Sequence, residues 1–421
     1  MTVRPTTETQ AAPGVDAERW PDVANAPHGG VRAVVARQLW RRATARLPLH
    51  VMEAGGDSYG AGGVGSPTIR LLSPETFFAR LGTGGTVGFG EAYMAGDWTS
   101  EDPAGVVAVF AANIRDLVPA GLHRLRNKVL SRQPRDDDNS ISGARRNIAR
   151  HYDLSNDLFK TFLDPSMTYS SALFEGDPGD SSDSLETAQH RKIDRLLDIS
   201  GVEKGSRVLE IGTGWGELSI RAARRGATVT SITISTEQAE LARERIEAAG
   251  LSDRATVLLQ DYRHTSGEFD AVLSVEMIEA VGANHWAEYF GAVDRLLVPR
   301  GRFGLQAITQ DDRAVRAGQE SYTWIRKYIF PGGQLSSVES IEETVSSRTS
   351  LRVADRFMFG RHYAETLRRW RATFDARAAD IARLGFDETF RRMWSLYLAY
   401  SEAGFRAGYL DVGQFTLVKR A

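Results

Sequence analysis

Val208-Leu209-Glu210-Ile211-Gly212-Thr213-Gly214-Trp215-Gly216 decides the reading of this chain. An apolar run passes directly into Gly-x-Gly-x-Gly, and Glu217–Arg225 follows with a helical pattern. Glycines at such a junction remove the side chains that would hold a ligand off the backbone, and they allow a tight strand-to-helix turn. The pattern predicts a nucleotide-like cofactor over the end of a strand. The dinucleotide fingerprint is Gly-x-Gly-x-x-Gly, with the pyrophosphate on the helix N-terminus. Here the third glycine comes one residue early, Glu217 stands beside it, and Glu210 ends the strand. Carboxylates are poor neighbours for a pyrophosphate, which disfavours a nicotinamide dehydrogenase. The spacing suits S-adenosylmethionine, which has no phosphate and carries a positive sulfonium. The bland alternative is a glycine turn with no ligand.

Outward from this stretch the pattern is α/β. Leu185–Leu197 predicts a helix, Arg207–Ile211 a strand, Thr228–Ile234 a β-branched second strand, and Thr236–Ala249 a helix with Ser235 as N-cap. Ala255–Leu259, Phe269–Val275 and Gly301–Ile308 continue as strands, with a helix at His285–Leu297. Strands alternating with helices predict a parallel, doubly wound, Rossmann-like sheet with ligands at the strand C-termini. Tyr322–Phe330 and Ala364–Leu384 predict further helices forming a cap, and Gln414–Lys419 a closing strand.

The N-terminal third reads differently. Residues 1–30 are rich in Pro, Thr, Ala and Gly without a period and predict a disordered tail. Val31–Leu49 sets Arg32, Arg37, Arg41, Arg42 and Arg46 among Val34, Val35, Leu39, Trp40 and Leu47, the pattern of a basic amphipathic helix. Such a helix serves either as a solvated face or as a lipid contact. Ile69–Leu72 and Pro74–Leu81 predict a strand and a helix, so this part is a smaller, mainly helical α+β domain. Gly82–Gly90 is glycine-rich, and no Lys-Ser/Thr follows it to make a P-loop. Pro103–Val118 is helical, and Leu122–Arg135 gathers Arg124, Arg126, Lys128, Arg132 and Arg135. Each cation near an anionic membrane is worth about 1 kcal/mol. Asp136-Asp137-Asp138-Asn139-Ser140 predicts a linker, which divides the chain into 31–138 and 139–421.

Composition removes several classes. At 421 residues the chain has room for two or three domains, and 42% hydrophobic with 25% charged residues is globular. A net charge of −2 argues against a nucleic-acid binder. There is no cysteine, hence no disulfide, thiolate zinc site or thiol nucleophile, and no metal site is expected. No segment approaches the roughly 18 consecutive apolar residues of a membrane span, and no signal-peptide core is evident. The expected location is the cytoplasm.

Several longer motifs sharpen this. His151-Tyr152-Asp153-Leu154-Ser155-Asn156-Asp157-Leu158-Phe159, Leu163-Asp164-Pro165-Ser166-Met167-Thr168-Tyr169-Ser170-Ser171-Ala172 and Ser274-Val275-Glu276-Met277-Ile278-Glu279 stand with Gln260-Asp261-Tyr262-Arg263 and Tyr328-Ile329-Phe330-Pro331-Gly332-Gly333. With the glycine loop, Ile232–Gln238 and Gly404-Phe405-Arg406, they make the chain, over roughly residues 75–421, resemble the cyclopropane-fatty-acid synthase family. Within it the resemblance is to the actinobacterial branch that forms 10-methylene-stearoyl lipid, the precursor of tuberculostearic acid. The resemblance implies transfer of one carbon from S-adenosylmethionine to a cis double bond of a phospholipid acyl chain. It implies an N-terminal lipid-contacting domain, peripheral association with the inner face of the membrane, a flavin-dependent reductase acting on the product, and a homodimer.

It also implies a set of cofactor contacts: Tyr169 and Ser170 at the methionine end, Gly212, Gly214 and Gly216 along the backbone, Thr233 and Gln238 at the ribose, Tyr262 and Arg263 beside the adenine. No acidic residue follows the second strand, so hydroxyl and amide groups would hold the ribose. Methyl transfer to an alkene leaves a carbocation, which aromatic faces stabilise without capturing; Tyr169, Trp324, Tyr328, Tyr363, Tyr397 and Phe405 are candidates. For the base the resemblance implies a bicarbonate held by Glu279, Tyr363, the backbone at Ser171 and the side chain at position 306. Two of these positions depart from the family: Ser171 replaces a cysteine and Gln306 a histidine, while Ala280 replaces the histidine after the glutamate. An amide donates a hydrogen bond but does not titrate near neutral pH. These departures point to a methylene product, with a cyclopropane ring as the alternative within the class. A catalytically silent lipid-binding protein and a small-molecule N- or O-methyltransferase are the rivals outside it.

Overall fold

The computed structural model describes residues 14–113, 155–318 and 322–421. The expected linker at 136–140, the basic cluster from Arg124 to Arg135 and the His151–Leu154 start of the first motif lie outside the described residues. The chain forms two compact units, and they are not contiguous in sequence. Residues 322–329 and 375–407 fall with the N-terminal segment, and the remainder of the C-terminal two-thirds forms the second unit.

In the first unit β1 (His50–Glu53), β2 (Ser58–Tyr59), β3 (Thr68–Leu71) and β4 (Trp98–Thr99) form a sheet in the order β2-β1-β3-β4. Helices Gly30–Thr44, Pro74–Gly84, Thr86–Ala95, Pro103–Ala112 and Glu388–Arg406 belong to the same unit. Its core is aromatic: Trp40 meets Phe77 edge-on at 5.1 Å, and Phe89 lies 4.7 Å from Trp98. One expectation is corrected here. Residues 14–30 are not uniformly a tail, because Val23 and Ala24 are buried and Arg80 donates to the carbonyls of Asp22 and Val23. The glycine-rich segment 82–90 is largely helical. Its glycines serve close packing: a Cβ on Gly88 would fall 2.0 Å from the Arg80 carbonyl oxygen, and one on Gly90 2.4 Å from the Trp324 ring.

The second unit carries a seven-stranded sheet in the order β10-β11-β9-β8-β5-β6-β7. The strands are β5 (Arg207–Ile211), β6 (Thr228–Thr233), β7 (Ala255–Leu259), β8 (Phe269–Val275), β9 (Leu297–Gln310), β10 (Leu351–Met358) and β11 (Leu410–Lys419). β5 to β9 are parallel, and β10 and β11 add an antiparallel edge. Alternate residues of β5 supply opposite faces. Val208 packs with Ile193, Leu218 and Ala239 from the helices on one side, and Leu209 with Phe290, Val293 and Ile341 on the other. Both faces are therefore covered, as a parallel sheet requires. The order reverses at β5, whose neighbours are β6 and β8, and that switch point is where ligands sit in such sheets.

Candidate active site

A pocket opens at the C-terminal ends of β5, β6 and β8. Gly212 and Gly214 form its floor with φ of 95° and 51°, a region that side chains with a Cβ rarely enter. A Cβ on Gly212 would also fall 2.4 Å from Met277 Cγ. Gly216 does not line the pocket; it caps helix Glu217–Arg224 and packs against Ala242. Beneath the floor Glu210 is buried, and its Oε2 accepts from the hydroxyls of Ser219 and Ser231 at 2.5 and 2.7 Å. Burial pushes the Glu210 carboxyl up to about 7, against the pull of those hydroxyls and of Lys192.

The other expected cofactor residues all line this pocket. Thr233 Oγ1 donates to Gln238 Oε1 at 3.1 Å, so the two groups expected at the ribose are already coupled. The Tyr262 ring stands edge-on to Tyr289 at 5.2 Å, and the Arg263 guanidinium lies over it while gripping Asp261 through two bonds of 2.9 Å. Tyr169 sits between Phe159 and Trp370, with ring centroids at 5.1 and 5.2 Å. The Ser170 hydroxyl accepts from Lys192 Nζ at 2.6 Å. Lys192 is fully enclosed, and burial draws its ammonium down to about 8, opposed by Glu276, Asp164 and Glu210.

The expected catalytic residues converge, but not on Glu279. Ser171 N and Gln306 Nε2 donate to Glu276 Oε1 at 3.0 and 2.8 Å, and the Tyr363 hydroxyl donates to Glu276 Oε2 at 2.7 Å. Ser171 uses its backbone here, since its own hydroxyl turns to the Ala172 carbonyl. Glu276 lines the pocket just beyond the end of β8. Its φ of 52° places a non-glycine residue in the left-handed region, a strain of about 1–3 kcal/mol. Burial pushes its carboxyl above the usual range, while Ser171, Tyr363, Gln306 and Lys192 pull it back. Glu279 lies outside the pocket lining, its Oε1 accepting from Ile308 N at 2.6 Å and its Oε2 buried without a hydrogen-bond partner among the described residues. Burial, with Glu276 adding like-charge repulsion, pushes Glu279 up to about 8.

Sequence reasoning assigned no role to Glu276, Lys192 or Glu210 as a buried group. The signal for Glu276 was present: two glutamates three residues apart directly after a strand bearing on the ligand. Of the aromatic candidates, Tyr169 and Tyr363 belong to the second unit, and Trp324, Tyr328, Tyr397 and Phe405 to the first. Among the described residues no group of three or more His, Asp or Glu is placed to hold a metal, and no helix is long and apolar enough to cross a membrane.

The model of the mycolic acid cyclopropane synthetase family matches residues 139–415. The chain is 49% identical to the tuberculostearic acid methyltransferase UfaA1 of Mycobacterium tuberculosis, over 98% of this chain and 99% of that one. It is 36% identical to the cyclopropane-fatty-acyl-phospholipid synthase of Escherichia coli, over 82% of this chain and 86% of that one. Among solved structures it resembles the mycolic acid cyclopropane synthase CmaA1 complexed with SAH and CTAB. The TM-score is 0.60 at 30% identity, covering 68% of this chain and 99% of that one.

Proposed function

This chain belongs to the mycolic acid cyclopropane synthetase family, and we propose that it methylates the cis double bond of phospholipid-bound oleoyl chains, giving 10-methylene-stearoyl lipid. The observation that carries this reading is the pocket at the ends of β5, β6 and β8, floored by Gly212 and Gly214 and backed by the buried Glu210. A carboxylate there suits a cationic cofactor and opposes a pyrophosphate. S-adenosylmethionine, when bound, supplies the electrophilic methyl group. The chain's own residues do the rest. Thr233 and Gln238 offer a hydroxyl and an amide to the ribose, Tyr262 a face to the adenine, and Ser170 a hydroxyl near the methionine end. Tyr169, backed by Trp370, brings aromatic surface to this end of the pocket, which excludes water and favours a passing positive charge.

The likeness to the tuberculostearic acid methyltransferase supports the oleoyl substrate and the methylene product. The likeness to the phospholipid cyclopropane synthase supports ring closure as the alternative on the same cofactor and substrate. With a methylene product, a flavin-dependent reductase consumes it downstream. We assign lipid contact at the cytoplasmic face of the membrane to residues 31–138. The exposed Val31, Val34, Val35 and Leu39 beside Arg32 and Arg42 on helix Gly30–Thr44 support this. A homodimer rests on family likeness alone. Titration calorimetry with S-adenosylhomocysteine, followed by incubation of the enzyme with S-adenosylmethionine and dioleoyl phospholipid, tests the reading. Binding with a one-carbon gain on the acyl chain is expected. No binding would leave a lipid-binding protein on a methyltransferase scaffold.

A further inference from the structure

The bicarbonate implied by family resemblance would need the donors of Ser171, Gln306 and Tyr363. All three are taken. They close on Glu276 at 3.0, 2.8 and 2.7 Å, two on Oε1 and one on Oε2. A carboxylate and a bicarbonate offer the same planar pair of oxygens to such donors, so Glu276 fills the cradle with a group covalently part of the chain. Glu279, the fourth implied ligand, faces Ile308 N and adds a second carboxyl to the neighbourhood. An anion added here would meet two carboxyls and compete for donors already used. The residues present do not fit a bound bicarbonate.

We infer that Glu276 is itself the proton acceptor of the reaction, an internal carboxylate in place of a dissolved ion; the inference rests on the methylation proposed above. The placement is deliberate in physical terms. Backbone strain at a non-glycine residue persists only where the surroundings over-determine it, and here three donors and the end of β8 do so. Lys192, enclosed on the same side of the pocket, supplies a positive charge that favours the ionised form of Glu276.

The chemistry balances. The alkene π pair forms the new C–C bond to the transferred methyl as the S–C pair returns to sulfur, and a hydride moves with its pair to the cationic neighbour. One C–H bond of the added methyl then breaks. Its electron pair becomes the exocyclic double bond, and the proton goes to a Glu276 oxygen, which returns it to solvent after product release. No other co-reactant is needed.

The test is turnover with and without bicarbonate. Wild type in CO2-free buffer is expected to keep its rate within about two-fold of that in bicarbonate buffer. Glu276→Gly relaxes the backbone and empties the cradle. In CO2-free buffer it should lose about 100-fold or more, the usual worth of a positioned base, and regain activity with added bicarbonate or formate. Glu276→Gln keeps the cradle filled, and should be inactive and not rescued, with S-adenosylhomocysteine affinity near that of wild type. Wild-type activity that falls in CO2-free buffer and returns with bicarbonate overturns the inference while leaving the methylation intact. So does an active Glu276→Gln. Wild type that methylates no oleoyl lipid in either buffer removes the function itself and the inference with it.

Discussion

Gln306 turns its amide nitrogen toward Glu276 because Gln414 holds the other end. Gln306 Nε2 donates to Glu276 Oε1 at 2.8 Å, while Gln306 Oε1 accepts from Gln414 Nε2 at 3.1 Å. Gln414 is fixed in turn, since its Oε1 accepts from Arg195 at 2.7 Å and its Nε2 also donates to the Lys192 carbonyl at 3.0 Å. The chain Arg195, Gln414, Gln306, Glu276 thus settles which face of a symmetric-looking amide meets the carboxylate. A glutamine delivers that donor without a titration of its own.

Removing the second link tests this orientation. Gln414→Leu frees Gln306 to rotate and should lower kcat about 5- to 10-fold, the worth of one net hydrogen bond of about 1–1.5 kcal/mol. KM for the lipid should change little. Steady-state kinetics on phospholipid vesicles check it, and an unchanged kcat would show that the relay does not position Gln306.

Glu279 gives a pH signature in stability. Its folded-state value, about 8, lies above the ordinary 4.5. The stability it contributes is therefore full below about 4.5 and is lost as pH rises through about 8. Glu279→Gln retains an acceptor for Ile308 N and removes the titration. Urea melts should show the variant gaining on wild type across that window. A difference independent of pH would contradict a neutral Glu279 in the folded protein.

Glu210 gives one in cofactor binding. A sulfonium or ammonium nearby favours its ionised form, so a carboxyl raised to about 7 must lose its proton when the cofactor binds. Affinity for S-adenosylmethionine should rise with pH through about 7 and level off above. Calorimetry in buffers of different ionisation enthalpy should register proton release. No dependence on pH or buffer would place the cofactor's charge away from Glu210.

Gly212→Ala combines a φ of 95° with a Cβ 2.4 Å from Met277 Cγ. It should cost about 1–3 kcal/mol of stability and weaken cofactor binding at least 10-fold. Denaturant melts and calorimetry measure both, and a stable variant with normal affinity would mean that the floor can yield.

Lipid contact by helix Gly30–Thr44 is tested by Val34→Asp with Leu39→Asp, both exposed. Sedimentation with anionic phosphatidylglycerol vesicles should fall several-fold, while turnover on detergent-dispersed lipid is kept. Equal sedimentation would make this helix a solvated face.

Much of the second unit was legible because its central strands β5, β8 and β9 are largely buried and read as apolar runs, and the edge strand β7 is short and apolar. β7 and β8 follow the expected bounds, and β5 matches as well. β10 was not, because it is an edge strand whose Arg352, Asp355 and Arg356 face solvent and break the apolar pattern. Glu388–Arg406 was missed because it is buried on most sides and lacks a clean polar face. Ala364–Leu384 is two helices, Gly360–Ala376 and Ala378–Arg383. At the site, the identities of Ser171, Gln306 and Tyr363 were readable from motif. Their shared partner was not, because their convergence on Glu276 depends on the positive φ at Glu276 after β8, which spacing does not encode.

The most direct measurement is the structure of the acyl product. The enzyme is expressed in an oleate-containing host, and its lipids are converted to methyl esters, ozonised and analysed by mass spectrometry. The account predicts an ester that ozone cleaves to a ketone at carbon 10, the mark of an exocyclic methylene. A one-carbon product that resists ozone, as a cyclopropane ring does, would contradict it.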